Sequence, residues 1–344
     1  IWCLGNEMDG PWQLGHRSAE DYGKLAAQTA RAMKAFDPDL ELVVCGSSGS
    51  SMPTFLDWER TVLAETYDAV DYISCHAYYE DRGDLASFLA SGVDMDRFIR
   101  QVTAVADEVK AERGSDKTID ISFDEWNIWY NTRFETVEKI TGVDNWPVAP
   151  RLLEDVYSVA DAVVLGSLLI TLLRHADRVA SASLAQLVNV IAPIMTEPGG
   201  AAWRQTTFFP FAETSHHARG VSLDVGLVCE TYATEQYGDV EVVTSVATYD
   251  AACGEVSVYA VNRSVDAPVT LEIDVSALPA DLAAVAVSLH DDHLTAANTA
   301  QQPDRVGLRA NTTVSHGGGV VRVELPPVSW TQILLRPAGD PVAM

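Results

Sequence analysis

Residues 118–127 read Thr118-Ile119-Asp120-Ile121-Ser122-Phe123-Asp124-Glu125-Trp126-Asn127, an apolar, β-branched run that ends in two adjacent acids and an indole. Residues 1–7, Ile1-Trp2-Cys3-Leu4-Gly5-Asn6-Glu7, repeat the arrangement with one acid. Each reads as a strand that delivers polar side chains from its carboxyl end. Three further runs behave alike. Glu41 to Cys45 ends in the Gly/Ser cluster Gly46 to Ser51, Val70 to Cys75 runs into His76-Ala77-Tyr78-Tyr79, and Val179 to Ser183 leads to Gln186-Leu187-Val188-Asn189. Helical periodicity fills the gaps. A capping-box-like Ser18-Ala19-Glu20-Asp21 opens a helix with the apolar face Tyr22, Leu25, Ala26, Thr29, Met33 and Phe36, stopped by Asp37-Pro38. Others are expected from Pro53 through Leu63, over about Asp94 to Arg113 and Asp155 to His175, and near Trp203 to Ala218. Strands alternating with helices predict a parallel sheet built from β-α units.

From about Gly220 the pattern changes to short alternating runs: Glu241 to Ala247, Val256 to Val261, Val269 to Val275, Ala283 to Leu289, Val320 to Leu325 and Thr331 to Leu335. This predicts an antiparallel β-sandwich or jelly roll. The fold class expected is α/β plus all-β, with an α/β domain over residues 1–219, a sandwich over 220–338 and a tail over 339–344.

The 344 residues are 47% hydrophobic and 21% charged, enough to build large cores. A formal net charge of -26 repels phosphate backbones, so nucleic acid is not an expected partner. The longest apolar run, Val156 to Leu173, is interrupted by Ser158, Asp161, Gly166, Ser167 and Thr171, and no membrane span is expected. Five scattered cysteines, Cys3, Cys45, Cys75, Cys229 and Cys253, suggest neither a disulfide framework nor zinc, and a reducing cytosol is the expected compartment. The chain opens at Ile1 with neither an initiator Met nor a charged leader, which reads as an internal cut.

The unusual polar residues all follow strands, and in β/α barrels that face carries the active site because the loops converge there. A lone Glu in such a place is ordinarily a loop acid or a helix cap. Glu7 and Glu125 stand out as two acids in the same phase, with Asn6 and Trp12 near the first and Trp126, Trp129 and Tyr130 near the second. Paired carboxylates are the minimum equipment for glycoside hydrolysis: one, protonated, assists the leaving group, and one, ionised, attacks or activates water. At about 5 Å and an effective dielectric near 20, two like charges repel by roughly 3 kcal/mol, so one of the two acids is expected to hold its proton to higher pH than the other. His216-His217 lacks a suitably spaced third ligand, and Asp291, Asp292 and His293 read as a solvated turn; no metal site is expected.

Gly5-Asn6-Glu7, followed 118 positions later by Glu125 within Phe123-Asp124-Glu125-Trp126-Asn127, resembles the strand-four and strand-seven signatures of the retaining (β/α)8 glycosidases. With Met8-Asp9-Gly10-Pro11-Trp12-Gln13, Ile128-Trp129-Tyr130 and Ala185-Gln186-Leu187-Val188-Asn189-Val190-Ile191-Ala192-Pro193-Ile194, the chain is similar to the intracellular α-L-arabinofuranosidases of glycoside hydrolase family 51. The resemblance implies Glu7 as acid/base, and so as the acid that holds its proton to higher pH, Glu125 as nucleophile with its carboxyl group about 5 to 5.5 Å away, and Asn6 on the sugar 2-hydroxyl. It also implies His76 and Tyr78 beside the nucleophile, Trp129 on the sugar pocket wall, and Gln186 on a sugar hydroxyl. The implied enzyme is a cytoplasmic retaining exo-glycosidase without cofactor or metal, acting on terminal α-L-arabinofuranosyl groups of arabinan- or arabinoxylan-derived oligosaccharides. Related β-xyloside or β-glucoside hydrolysis is a competing reading, and a catalytically silent carbohydrate-binding or assembly fragment is another. On this resemblance the chain supplies strands four to eight of a TIM-type barrel and lacks its N-terminal part. Its open side is then expected to be covered by a second copy, in a homo-oligomer, or by the missing N-terminal segment, with activity of the isolated chain in doubt.

Overall fold

A computed structural model describes residues 1–141, 144, 146–279 and 281–337; the expected tail over 339–344 lies outside the described residues. The chain divides into two compact units. The first comprises Ile1–Tyr78, Asp94–Asn127 and His175–Ala185, and the second comprises Tyr79–Val93, Ile128–Arg174 and the chain from Gln186 onward.

The first unit is built on a sheet of five strands, β1 (Trp2–Cys3), β2 (Leu42–Val44), β3 (Tyr72–Tyr79), β4 (Asp120–Ile128) and β5 (Val179–Leu184), hydrogen-bonded in chain order. The pairs β1/β2, β2/β3 and β4/β5 are parallel. Leu42, Val43 and Val44 are all fully buried, as a parallel strand covered on both faces requires. Two strands run further than the sequence reading allowed. β3 continues past Cys75 through Tyr79, and β4 continues past Phe123 through Ile128, so His76, Tyr78 and Glu125 sit within strands and not in the loops after them.

Ser18 caps the helix Ala19–Phe36 by accepting the Asp21 N–H at 3.2 Å. Its buried face is Tyr22, Gly23, Ala26, Ala27 and Ala30, narrower than the stripe read from sequence. Small residues win there because the helix Asp57–Thr66 packs closely: a Cβ on Gly23 would meet the Glu65 side chain at 3.2 Å. Leu25 and Phe36 are exposed instead, Phe36 at 91%, and Trp2 of β1 is 59% exposed. Tyr22 stacks on Trp58 at 5.6 Å and uses its hydroxyl twice, donating to Leu4 C=O at 3.1 Å and accepting from Cys45 N–H at 2.8 Å. That bridge ties the carboxyl ends of β1 and β2. The helix segment Asp94–Arg113 contributes Phe98, which meets Phe123 of β4 edge-on at 5.8 Å.

In the second unit an antiparallel six-stranded sheet runs in the order Arg309–Ala310, Leu282–Leu289, Ser329–Pro337, Glu255–Asn262, Val243–Asp250, Val221–Leu223. A three-stranded sheet of Val269–Asp274, Val320–Leu325 and Ser315–Gly317 shares its core, which includes Val258, Leu271, Val321, Val323, Ile333 and Leu335. Val320–Leu325 alternates, with Val321, Val323 and Leu325 inside and Arg322 and Glu324 outside. The helix Val159–Arg174, apolar around most of its circumference, packs on the six-stranded sheet. All five cysteines are free thiols, and no helix among the described residues is long and apolar enough to cross a membrane.

Gly166 is where that helix meets the sheet: an added Cβ would lie 2.2 Å from Cδ1 of Trp330, itself fully buried. Alanine gains up to about 1 kcal/mol of helix propensity, while overpacking a core costs about 1 to 3 kcal/mol. We therefore expect Gly166→Ala to lower the thermal midpoint, read by differential scanning calorimetry; a raised midpoint would mean the indole has room to move.

Candidate active site

The first unit gathers its polar residues at one end of the sheet. Gly5 has φ +132, and a Cβ there would meet Met8 Cγ at 2.9 Å, so glycine is needed for the turn that follows β1. Glu7 stands in that turn in a left-handed conformation, φ 45, unusual for a residue with a side chain. Asp9 holds the same turn to the loop after β2, accepting from the Ser48 N–H at 3.0 Å and from the Ser48 hydroxyl. Ser74, His76 and Tyr78 occupy alternate positions of β3 and share one face.

β4 is irregular at the decisive place. Phe123 pairs with Ala182 and Trp126 with Leu184, so three steps on β4 oppose two on β5. Such a bulge re-aims side chains, and through it the adjacent Asp124 and Glu125 both reach His76. Nε2 of His76 lies 3.1 Å from Asp124 Oδ1, and Nδ1 lies 3.1 Å from Glu7 Oε1 and 3.6 Å from Glu125 Oε2. The Tyr78 hydroxyl donates to Glu125 Oε1 at 2.6 Å. Trp12 Nε1–H and Gln13 Nε2–H donate to Glu7 Oε2, and the Cys3 thiol donates to Asp124 Oδ2 at 3.4 Å. A cavity of about 140 Å³ opens among Cys3, Asn6, Cys45, His76, Asp124 and Glu125.

Between two ionised carboxylates the His76 ring donates from both nitrogens, which makes the side chain an imidazolium. Burial opposes the charge, but the hydrogen bonds to Asp124 and Glu7 and the nearby Glu125 outweigh it and hold the group up to about 10. One oxygen of Glu7, one of Glu125 and a His76 nitrogen lie within 4.8 Å of one another. A protonated His76 leaves only carboxylate oxygens to an ion, and its own charge balances the acids. The expectation that Glu7 is held up by its like-charged neighbour is not met. Burial does push Glu7 up, but the hydrogen bonds from His76 and Trp12 and the His76 charge bring its carboxyl below the usual range. The sequence reading weighed two carboxylates and left out the cation between them. Burial, aided by Asp124, pushes the Cys3 thiol up to about 12.

Of the residues expected from sequence, Asn6, Glu7, His76, Tyr78 and Glu125 belong to the first unit, and all but Tyr78 and Glu7 line the cavity. Trp129 and Gln186 belong to the second. The backbone N–H of Trp129 donates to Tyr79 C=O at 2.9 Å and its ring lies 6.0 Å from Phe134; Gln186 is exposed and donates its backbone N–H to Ile191 C=O. Tyr130 donates to the buried Asp161 at 2.8 Å, and burial pushes Asp161 up to about 6. Trp126, named as a sugar-side aromatic, is fully buried core. Sequence reasoning passed over Asp124, whose only signal is its place directly before Glu125.

Residues 124–329 match the C-terminal domain of the α-L-arabinofuranosidases. The chain belongs to the α-L-arabinofuranosidase family. It is 56% identical over 342 residues to an exo-α-(1→6)-L-arabinofuranosidase of Bifidobacterium longum, spanning 97% of this chain and 65% of that one. It is 55% identical over 334 residues to an intracellular exo-α-(1→5)-L-arabinofuranosidase of Streptomyces lividans, spanning 97% and 50%. The solved structure of a family 51 α-L-arabinofuranosidase from Bifidobacterium longum superposes with a TM-score of 0.93 at 46% identity, over 98% of this chain and 68% of that one. The chain thus spans from half to about two thirds of the length of these relatives.

The His76–Glu7 pair makes stability depend on pH. His76 is raised above its unfolded value of 6.5, so its contribution is complete below that pH and is lost as the pH climbs toward about 10. Glu7 is lowered from 4.5, so its contribution is present above that value and is lost as the pH falls. The difference in unfolding free energy between the native chain and His76→Gln, from urea titrations, should peak between about pH 5 and 6.5 and shrink toward pH 10. A difference that stays flat over this range would show that the imidazole is neutral.

Proposed function

We propose that this chain carries the catalytic centre of a retaining exo-α-L-arabinofuranosidase that releases terminal α-L-arabinofuranosyl groups from arabinan- or arabinoxylan-derived oligosaccharides. The observation that carries the reading is the approach of Glu7 and Glu125: one oxygen of each lies within 4.8 Å of the other. That is the close spacing of double displacement, where inverting enzymes keep their carboxyl groups about 6.5 to 9.5 Å apart to admit a water. Glu125 attacks the anomeric carbon, and Glu7, in the fraction of enzyme in which it carries a proton, gives that proton to the departing glycosidic oxygen. Glu7 then takes a proton from water as the water oxygen displaces Glu125, releasing arabinose with its configuration retained. Burial pushes the Glu7 carboxyl up, but the hydrogen bonds from His76 and Trp12 and the His76 charge bring it below the usual range, which suits the ionised form that takes the proton from water in the second step.

The remaining roles follow the same reading. Tyr78 orients Glu125 through its hydroxyl, and Asn6 holds the sugar 2-hydroxyl. The first sheet corresponds to strands four to eight of a (β/α)8 barrel, with the catalytic domain over residues 1–219 and a β-sandwich over 220–338. Several relatives bear names that say intracellular, which supports a cytoplasmic enzyme. Ile1, Trp2 and Phe36, exposed on the β1 side, are expected to be covered in the working enzyme by a second copy of the chain or by further polypeptide.

Kinetics on aryl and unactivated α-L-arabinofuranosides test the roles. Glu125→Ala should abolish turnover on both. Glu7→Ala should cost about 10² to 10⁴-fold on unactivated substrates and far less on a dinitrophenyl glycoside, whose leaving group needs no proton. Equal losses on both substrates would remove Glu7 from the acid role, and turnover of aryl β-xylosides in place of arabinofuranosides would overturn the substrate assignment.

A further inference from the structure

The His76 ring is gripped at both nitrogens, and only one grip involves a proposed catalytic acid. The other is Asp124, which β4 brings into reach through the bulge between Phe123 and Trp126. Its Oδ1 faces Nε2 of His76 at 3.1 Å, and its Oδ2 accepts from the Cys3 thiol at 3.4 Å and the Ser122 hydroxyl at 3.3 Å. Asp124 is thus anchored from β1 and from its own strand before it meets the imidazole. We propose that Asp124 is a positioning residue which, by taking the Nε2–H of His76, keeps the ring doubly protonated and turns Nδ1–H toward Glu7, so that the charge state of the acid/base is governed from a residue that does not touch the reacting bond.

The geometry leaves little alternative. Between two ionised carboxylates the imidazole donates at both ends, which neither tautomer of the neutral ring can do. With Asp124 replaced by Asn, the amide oxygen can still accept from Nε2–H, but the second negative charge is gone and the neutral ring becomes accessible. Its bare Nδ1 then faces Glu7, an arrangement favourable only when Glu7 itself carries a proton. The other ionisable groups around the ring are Glu7 from the turn after β1, Glu125 beside Asp124 on β4, Tyr78 on the same strand, and the thiols Cys3 and Cys45 lining the same cavity. Burial raises both thiols, and burial also raises Tyr78, so these three stay uncharged near neutral pH and the balance lies among His76 and the three acids. The catalytic label on Glu7 rests on the proposed function.

Two readouts on the full chain separate this proposal from that function. The first needs no turnover: ¹⁵N imidazole spectra of histidine-labelled protein, with His76 assigned by its loss in His76→Gln. The native ring should remain doubly protonated from pH 5 to 9, and Asp124→Asn should bring its titration at least two pH units lower, within that window. An unchanged His76 titration in Asp124→Asn overturns the proposal. If Asp124→Asn does not fold, Asp124→Ala serves for the same reading, and Asp124→Glu should restore the native titration. The second readout is the pH profile of kcat/KM on an unactivated arabinofuranoside. Asp124→Asn should move the alkaline limb up by about one pH unit, and adding it to His76→Gln should move the limb no further. A limb that stays put in the single variant, or that shifts equally without His76, overturns the link to Glu7. Turnover of aryl β-xylosides in place of arabinofuranosides would instead sink the proposed function, while the imidazole spectra still decide the role of Asp124.

Discussion

His76 sets each ring nitrogen 3.1 Å from a carboxylate oxygen, one on Glu7 and one on Asp124, with Glu125 at 3.6 Å. A buried charge is tolerated only when it is paired, and removing one partner of such a pair costs about 3 to 5 kcal/mol. The first unit is arranged to meet that condition. His76 sits on β3, the middle strand of five, with the Glu7 turn delivered from β1 on one side and the two acids delivered from β4 on the other.

Holding three acids around one cation demands backbone that cannot drift. The Tyr22 hydroxyl joins the end of β1 to the end of β2, and Asp9 joins the Glu7 turn to Ser48. Below them Glu59, fully buried, accepts the Ser47 N–H and the Leu56 N–H, each at 2.7 Å, which fixes the loop after β2 at both of its ends. These ties are polar and buried or half-buried, and such hydrogen bonds rigidify a site. The left-handed backbone at Glu7 is one place where the scaffold sustains a strained geometry, and strain of this sort gathers where a side chain must be aimed.

Much of this was legible in the sequence. Period-two and period-3.6 patterning located all five strands of the first sheet and the alternating strands beyond Gly220, and the Glu7 and Glu125 contexts pointed to paired carboxylates. What escaped has physical reasons. The strand ends at Cys75 and Phe123 were drawn too early because polar residues read as loop, although in a sheet that lines a polar site they are simply the inward-facing positions. Asp124 was missed because adjacent residues on a regular strand face opposite ways, and the bulge that overturns the rule has no signature in residues 118–127. The charge on Glu7 was misjudged because a pairwise estimate contained no cation. Leu25 and Phe36 read as core although the helix Ala19–Phe36 buries its alanines and glycine, since periodicity marks an apolar stripe without saying how closely a neighbour will approach.

The spacing of Glu7 and Glu125, maintained by the imidazolium between them, carries the claim that the reaction passes through a glycosyl ester on Glu125. Methanolysis tests it most directly, because methanol intercepts that ester and the methyl glycoside formed does not mutarotate. With an aryl α-L-arabinofuranoside as donor, ¹H NMR should show methyl α-L-arabinofuranoside as the transfer product, the outcome of two inversions. Formation of the β-anomer would mean a single displacement and would contradict the assignment of Glu125 as nucleophile.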